Sequence, residues 1–107
     1  MTTAARAGEP AGVTPDLDQL YTAYKAGRPR AEDRLAAEVW RRVHGVLRMR
    51  GACEAEAEEF AQQITARIMR NFQAKAVEEP SRYVARAATM GARDMGRRRA
   101  TRSPEIA

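Results

Sequence analysis

Apolar residues recur at helical spacing in four stretches of the chain, and polar residues fill the positions between them. This pattern predicts helices over residues 16–26, 31–50, 54–72 and 80–96. Glycine or proline stands at each junction, as is usual where helices stop or start. No stretch shows the alternation typical of a β-strand. The sequence therefore predicts an all-α fold, a small four-helix bundle.

The inward faces of these helices carry the expected core. The residues predicted to be buried include Leu20, Val39, Val43, Phe60, Ile64, Ile68 and Val84. Small residues on the fourth helix, among them Ala88 and Gly91, predict that it packs closely on its neighbour. We expect Trp40 at the edge of the core and Glu38 on an outer face of the second helix.

The two ends of the chain lack this pattern. We expect residues 1–15, rich in Thr, Ala, Gly and Pro, to be disordered, and residues 100–107 to form a flexible basic tail. Residues 16–99 then form the helical domain. The sequence shows neither a signal peptide nor an apolar run of transmembrane length, so we expect a cytoplasmic protein without a membrane partner.

Residues with chemical reactivity are few. The chain has one cysteine, Cys53, and one histidine, His44, so we expect neither an internal disulfide nor a metal site. We interpret Cys53 as a small apolar filler and His44 as half-buried or solvated. The glutamates near position 56 suit the positive end of a helix dipole and should be solvated. No nucleophile–base pair or phosphate-cradling loop is visible, so we expect no enzymatic activity and no cofactor.

Positive charge is concentrated in the last predicted helix and just beyond it. The chain has 19 Lys and Arg against 14 Asp and Glu, a formal net charge of +5. Between Pro80 and Arg102, seven arginines accompany a single acid, Asp94. Four of these arginines are spaced to share one helix face: Arg82, Arg86, Arg93 and Arg97. A row almost free of acids favours nucleic-acid contact over an ordinary solvated face.

Two motifs stand out in the third and fourth helices. Residues 56–69, EAEEFAQQITARIM, have an acid–Ala–acid–acid start, then an apolar residue and a Gln, then apolar residues interleaved with Arg. Residues 80–99 have an aromatic at Tyr83, an Arg–Ala turn at Arg86, an Ala-x-Asp ending at Asp94 and a closing arginine run. Together they resemble region two of bacterial RNA polymerase sigma factors of the extracytoplasmic-function type.

This resemblance covers about residues 16–99 and implies a division of labour between two helices. In such sigma factors the third helix docks on the coiled coil of the clamp in the polymerase largest subunit. The polymerase-binding residues implied here are Glu59, Gln62, Gln63, Arg67 and Arg70. The fourth helix and the loop before it engage the downstream element of the promoter. The DNA-binding residues implied here are Arg82, Arg86, Thr89, Met90, Arg93, Arg97 and Arg98.

Three features depart from the family pattern. Region four, the second helical domain, has no counterpart in this sequence. The loop over residues 73–79 lacks the aromatic that family members often carry, and Met90 stands where Asn is common. The first departure implies that a separate partner supplies region four, or that this chain is a piece of a longer factor. An anti-sigma protein is a further implied partner.

Two alternatives to promoter-directed initiation are open at this stage. One is a sigma-like protein-interaction module that has lost promoter recognition. The other is a generic helical DNA-binding protein. Strongly salt-dependent DNA binding by the isolated chain favours the second alternative. Stable capture of polymerase without DNA binding favours the first.

Overall fold

Four helices make up the part of the chain that the structure describes. They are α1 (Leu17–Lys25), α2 (Ala31–Met49), α3 (Glu54–Ala74) and α4 (Pro80–Ile106). The computed structural model describes the backbone of residues 16–106 and the side chains of residues 16–99, so the expectation for residues 1–15 lies outside it. No strand occurs within residues 16–106, which confirms the all-α prediction. Helix α2 lies at the centre and contacts the other three.

The helices begin and end near the predicted residues, with one exception. The sequence pattern predicts that the last helix stops at about Gly96, whereas α4 continues to Ile106. A glycine inside a helix costs only about 1 kcal/mol. The residues that follow, Arg97 to Ala100, are good helix formers, so the helix passes through Gly96.

The core is built from one stripe of each helix. Its largest fully buried side chains are Phe72, Leu17, Leu35, Leu47, Ile68, Val39, Val43 and Val84. Ile64 is buried as predicted, but Leu20 and Phe60 are only half-buried and pack on the edge of the core. Phe60 is covered on one side by the guanidinium of Arg98, which lies 5.5 Å from the ring centroid.

Glu38 lies inside the structure, contrary to the expectation of an outer face. Only 5 % of its surface is exposed. Arg41 and Arg42 each donate a hydrogen bond of 2.7 Å to its Oε2, and Arg41 Nε donates to Oε1 at 3.1 Å. Burial raises the pKa of Glu38, but the hydrogen bonds and charges of the two arginines outweigh this effect and hold it below the ordinary value.

Helix α1 holds the segment that joins α3 to α4. The hydroxyl of Tyr21 accepts the backbone N–H of Val77 at 2.8 Å. Lys25 Nζ donates to the carbonyl of Phe72 at 2.6 Å. Asp18 Oδ1 accepts from the backbone N–H of Ser81 at 3.1 Å and from its hydroxyl at 3.0 Å. Asp18 therefore caps the first turn of α4 from another helix, where a carboxylate also suits the helix dipole.

Helices α3 and α4 approach each other closely at a glycine. A Cβ built on Gly91 would lie 3.1 Å from Ile64 Cγ1 and closer still to Ile64 Cδ1. Ile64 is itself buried, so its side chain has little room to move aside. The close packing of α4 on its neighbour, which the sequence predicts, therefore occurs at Gly91, where the missing side chain allows the two helices to touch.

The first prediction concerns this contact. Replacing Gly91 with Ala should destabilise the protein by about 1–3 kcal/mol relative to Gly96→Ala, because overpacking costs that much. Gly96 is the matched control, since a Cβ built there meets no atom within 4 Å. Urea unfolding of both variants measures the difference. Adding Ile64→Val, which removes Cδ1, should recover much of the loss in the Gly91→Ala variant. Equal stability of the two alanine variants would contradict the close approach.

The second prediction concerns Glu38. Its lowered pKa means that its contribution to stability is fully present above the ordinary value of 4.5 and is lost as pH falls through the lower folded-state pKa. Glu38→Gln should lose about 1–3 kcal/mol at neutral pH, since hydrogen bonds to a charged group are removed. The gap between wild type and variant should narrow in acid. Chemical unfolding at several pH values measures it, with exposed Glu32→Gln as control. A gap that does not change with pH would contradict the assignment.

Candidate nucleic-acid interface

One face of α4 carries the arginine row. Its members are exposed arginines: Arg82, Arg86, Arg93 and Arg97. Thr89 is half-buried and Met90 is exposed at the centre of this face. Their positions along one helix keep all six side chains on the same side. The structure thus brings together six of the seven residues for which the family resemblance implies DNA contact.

An open cavity follows the arginine row. It has a volume of about 410 Å³ and is lined by Arg82, Ala85, Arg86, Thr89, Met90 and Arg93. Met90 is 62 % exposed and, with Met49, is one of two large apolar side chains exposed among the described residues. Guanidinium groups suit phosphate oxygens, and an exposed apolar side chain between them suits the face or methyl group of a base.

The row is only partly neutralised by acids. Arg82 pairs with Glu79 at 2.9 Å and Arg97 with Asp94 at 3.3 Å, both in exposed positions. Arg86 and Arg93 have no ion pair with any described residue. Exposed pairs contribute at most about 1 kcal/mol, so a phosphate competes readily for Arg82.

Arg98 does not lie on the row. It points towards the start of α3, where its guanidinium stacks over the ring of Phe60. Its neighbour Arg99 donates a hydrogen bond of 3.0 Å to Glu56. A position one residue beyond Arg97 is rotated by about 100° around a helix, which is why Arg98 leaves the face of the row.

The residues implied in polymerase binding form one exposed surface on α3, which we call the α3 face. It comprises Glu59, Gln62, Gln63, Arg67 and Arg70. All five are exposed, and their spacing keeps them on one side of the helix. The surface is polar and mixed in charge, which suits hydrogen bonds and ion pairs to a protein partner.

Arg67 joins the α3 face to the arginine row, a connection that sequence reasoning missed. A second cavity, the α3–α4 cleft, has a volume of about 150 Å³ and is lined by Arg67, Met90, Gly91, Arg93, Asp94 and Arg97. The spacing of residues along each helix does not predict that Arg67 and the α4 residues line the same cavity. The signal available was Gly91, whose missing side chain predicts close packing without naming the residues that it brings together.

A groove between α2 and α4 is the other surface that sequence reasoning missed. It has a volume of about 330 Å³ and is lined by Arg41, Arg42, Gly45, Val46, Met49, Ser81, Val84, Ala85 and Ala88. Met49 at its end is 86 % exposed. The signal in the sequence is a second stripe on α2, with Gly45, Val46 and Met49 at helical spacing beside the core stripe.

The aromatic and titratable residues at the end of α2 have structural contacts. Trp40 is half-buried against the core, as expected, and stacks on His44 with ring centroids 4.6 Å apart. His44 Nε2 lies 3.3 Å from Glu54 Oε2. The His44–Glu54 contact ties α2 to the start of α3, and the stacking covers one face of each ring.

The start of α3 differs from expectation at Cys53. Cys53 is exposed, so it is not an apolar filler. It precedes the first residue of α3, and its backbone N–H donates to Glu56 Oε1 at 3.3 Å. This hydrogen bond, with help from Arg99, lowers the pKa of Glu56. Glu56 thus forms part of the N-terminal cap of α3.

Comparison of the chain with known protein families, with curated proteins and with solved structures found no match. No helix among the described residues is long and apolar enough to cross a membrane. Within the same part of the chain, no three His, Cys, Asp or Glu side chains are grouped in a way that could hold a metal ion.

Proposed function

We propose that this protein is a sigma-factor-like transcription initiation protein that binds the RNA polymerase clamp and the downstream element of a promoter. The observation that carries the proposal is the arginine row, exposed along α4 with Thr89 and Met90 at its centre. The order of the four helices and the motifs of α3 and α4 supply the family context. A region-four-like domain from a separate partner would complete promoter recognition.

The arginine row supports the DNA part of the proposal by its charge and its length. From Arg82 to Arg97 the row spans about 22 Å at 1.5 Å per residue, the length of several nucleotides. Arg86 and Arg93 have no acidic partner among the described residues, so they are available for phosphates. Met90 and Thr89 would then meet an unstacked base.

The α3 face supports the polymerase part. Its amides and arginines offer charge-assisted and neutral hydrogen bonds to a helical partner. Because α3 and α4 are neighbours, a chain docked through α3 presents the arginine row beside the docking site. The two activities would therefore be coupled by the rigid packing of the bundle.

The α2–α4 groove favours a second candidate function, the protein-interaction module. Its occupant would be an amphipathic helix of a partner protein. An apolar stripe would meet Val46 and Met49, and acidic residues would meet the rim, where Arg41 is half-exposed. Gly45 and Ala85 would allow that helix to approach closely. In this case Met49→Glu abolishes polymerase capture, whereas changes in the arginine row leave the function intact.

The third prediction tests polymerase docking. Changing Gln63 and Arg70 together to Glu should weaken capture of polymerase at least tenfold, because two central positions of the α3 face become acidic and a cation is lost. Changing Gln19 and Arg34 to Glu makes the same charge change at exposed positions on α1 and α2. A pull-down with purified polymerase measures capture, and circular dichroism checks folding. Undiminished capture by the folded Gln63/Arg70 variant places the interface elsewhere.

The fourth prediction tests promoter contact. Arg86→Gln and Arg93→Gln should each slow open-complex formation and lower the log–log salt slope by about 0.7–0.9, since each removes one phosphate contact. Met90→Ala should change the preference among promoter sequences and leave the slope unchanged. Arg34→Gln, exposed on α2, is the charge-matched control.

The measurement uses the polymerase holoenzyme with any region-four partner supplied, and permanganate footprinting reports strand opening. The proposal fails if the row variants load onto polymerase and open promoters at the wild-type rate at every salt concentration. In that event the row is a solvated face, and the protein-interaction module becomes the better description.

A further inference from the structure

The α3–α4 cleft gathers guanidinium groups from two helices around a small cavity. Arg67 comes from α3, and Arg93 and Arg97 come from α4. Gly91 lies in the wall, at the point where α4 packs closely against Ile64 of α3. The volume of about 150 Å³ accommodates a phosphate group with a few waters.

The charges in the cleft are unbalanced. Asp94 is the one acid in its lining, and it pairs with Arg97 at 3.3 Å. Neither Arg67 nor Arg93 has an ion pair with a described residue. Converging arginines repel one another unless an anion lies between them, and their planar forks match the geometry of a phosphate.

The cleft is continuous with the surface of the arginine row. Met90 and Arg93 line both the cleft and the larger cavity along α4. A strand that follows the row therefore reaches the cleft without leaving the protein surface. The carboxylates of an acidic peptide also suit arginine. The row, however, places cations one after another along α4, and this arrangement matches the regularly repeated phosphates of a nucleic acid.

We propose that the α3–α4 cleft binds a backbone phosphate of single-stranded nucleic acid, with Arg67 and Arg93 as its principal ligands. The inference rests on the proposed function and adds to it. It places Arg67 in the nucleic-acid surface, although the family resemblance assigns this residue to polymerase docking. The phosphate seated in the cleft sets the path of the strand past Met90, so that the adjoining base meets the exposed methionine side chain.

The fifth prediction is measured with the full chain and a short fluorescent single-stranded oligodeoxynucleotide. Arg67→Gln and Arg93→Gln should each lower the affinity several-fold and reduce the log–log salt slope by about 0.7, the value for one phosphate of a single strand. Arg34→Gln should bind as wild type does. An oligonucleotide of the same sequence with uncharged methylphosphonate linkages should lose most of its affinity, because the ligand charge is gone.

Two further arms separate the possible outcomes. A glutamate-rich peptide tested at the same salt concentrations should bind weakly and without dependence on Arg67. Binding of that peptide but not of the oligonucleotide overturns the proposal in favour of an acidic protein ligand. An unchanged salt slope in Arg67→Gln, or no oligonucleotide binding by wild type at low salt, also overturns it.

Polymerase capture is measured in parallel with the same proteins. Arg93→Gln should retain capture, because Arg93 lies on α4 and all five residues of the α3 face are unchanged in this variant. If wild type binds the oligonucleotide through Arg67 but does not capture polymerase, the proposed function fails and the cleft stands. If wild type captures polymerase and opens promoters while Arg67→Gln behaves identically in every assay, the cleft fails alone.

Discussion

The buried stripe of α2 is the contact on which the rest of the structure depends. Its residues Leu35, Val39, Val43 and Leu47 are fully buried and lie one turn apart, and α2 packs on all three of the other helices. Each such side chain contributes roughly 1.5–3 kcal/mol when it leaves water. A chain of this size has a modest core, so the loss of one turn of this stripe would loosen all three contacts of α2 together.

Glu38 shows how that central position also constrains charge. It lies next to Val39 and is almost fully buried. A carboxylate there is tolerated because Arg41 and Arg42 lie one turn further along the same helix and donate to it. The charge network is local in sequence, because all three of its residues lie within about one turn of α2.

The α3 face and the arginine row are positioned by contacts in which neither surface takes part. Helix α1 fixes the segment between α3 and α4 through three hydrogen-bonding residues. Asp18 binds Ser81, Tyr21 binds Val77, and Lys25 binds the carbonyl of Phe72. Gly91 then lets α4 lie against Ile64. Together these contacts place Arg67 and Arg93 around one cavity, so that the α3 face and the arginine row share an edge.

The sequence by itself determined the secondary structure and which residues share a face of each helix. Helical periodicity reports which residues of one helix lie on the same side, and so the arginine row, the α3 face and most of the core were predictable. The glycine and proline positions located the ends of the helices, except at Gly96, where good helix formers on the far side carry the helix onward.

Tertiary structure alone decided how faces of different helices combine. Periodicity does not predict how deeply Glu38 is buried, which ring lies beneath Arg98, or which arginine of α3 lines a cavity with Arg93. These features depend on the rotation and separation of packed helices, and Gly91 allows the close approach of α3 and α4. The α3–α4 cleft and the α2–α4 groove are therefore properties of packing, since each is lined by residues of two different helices.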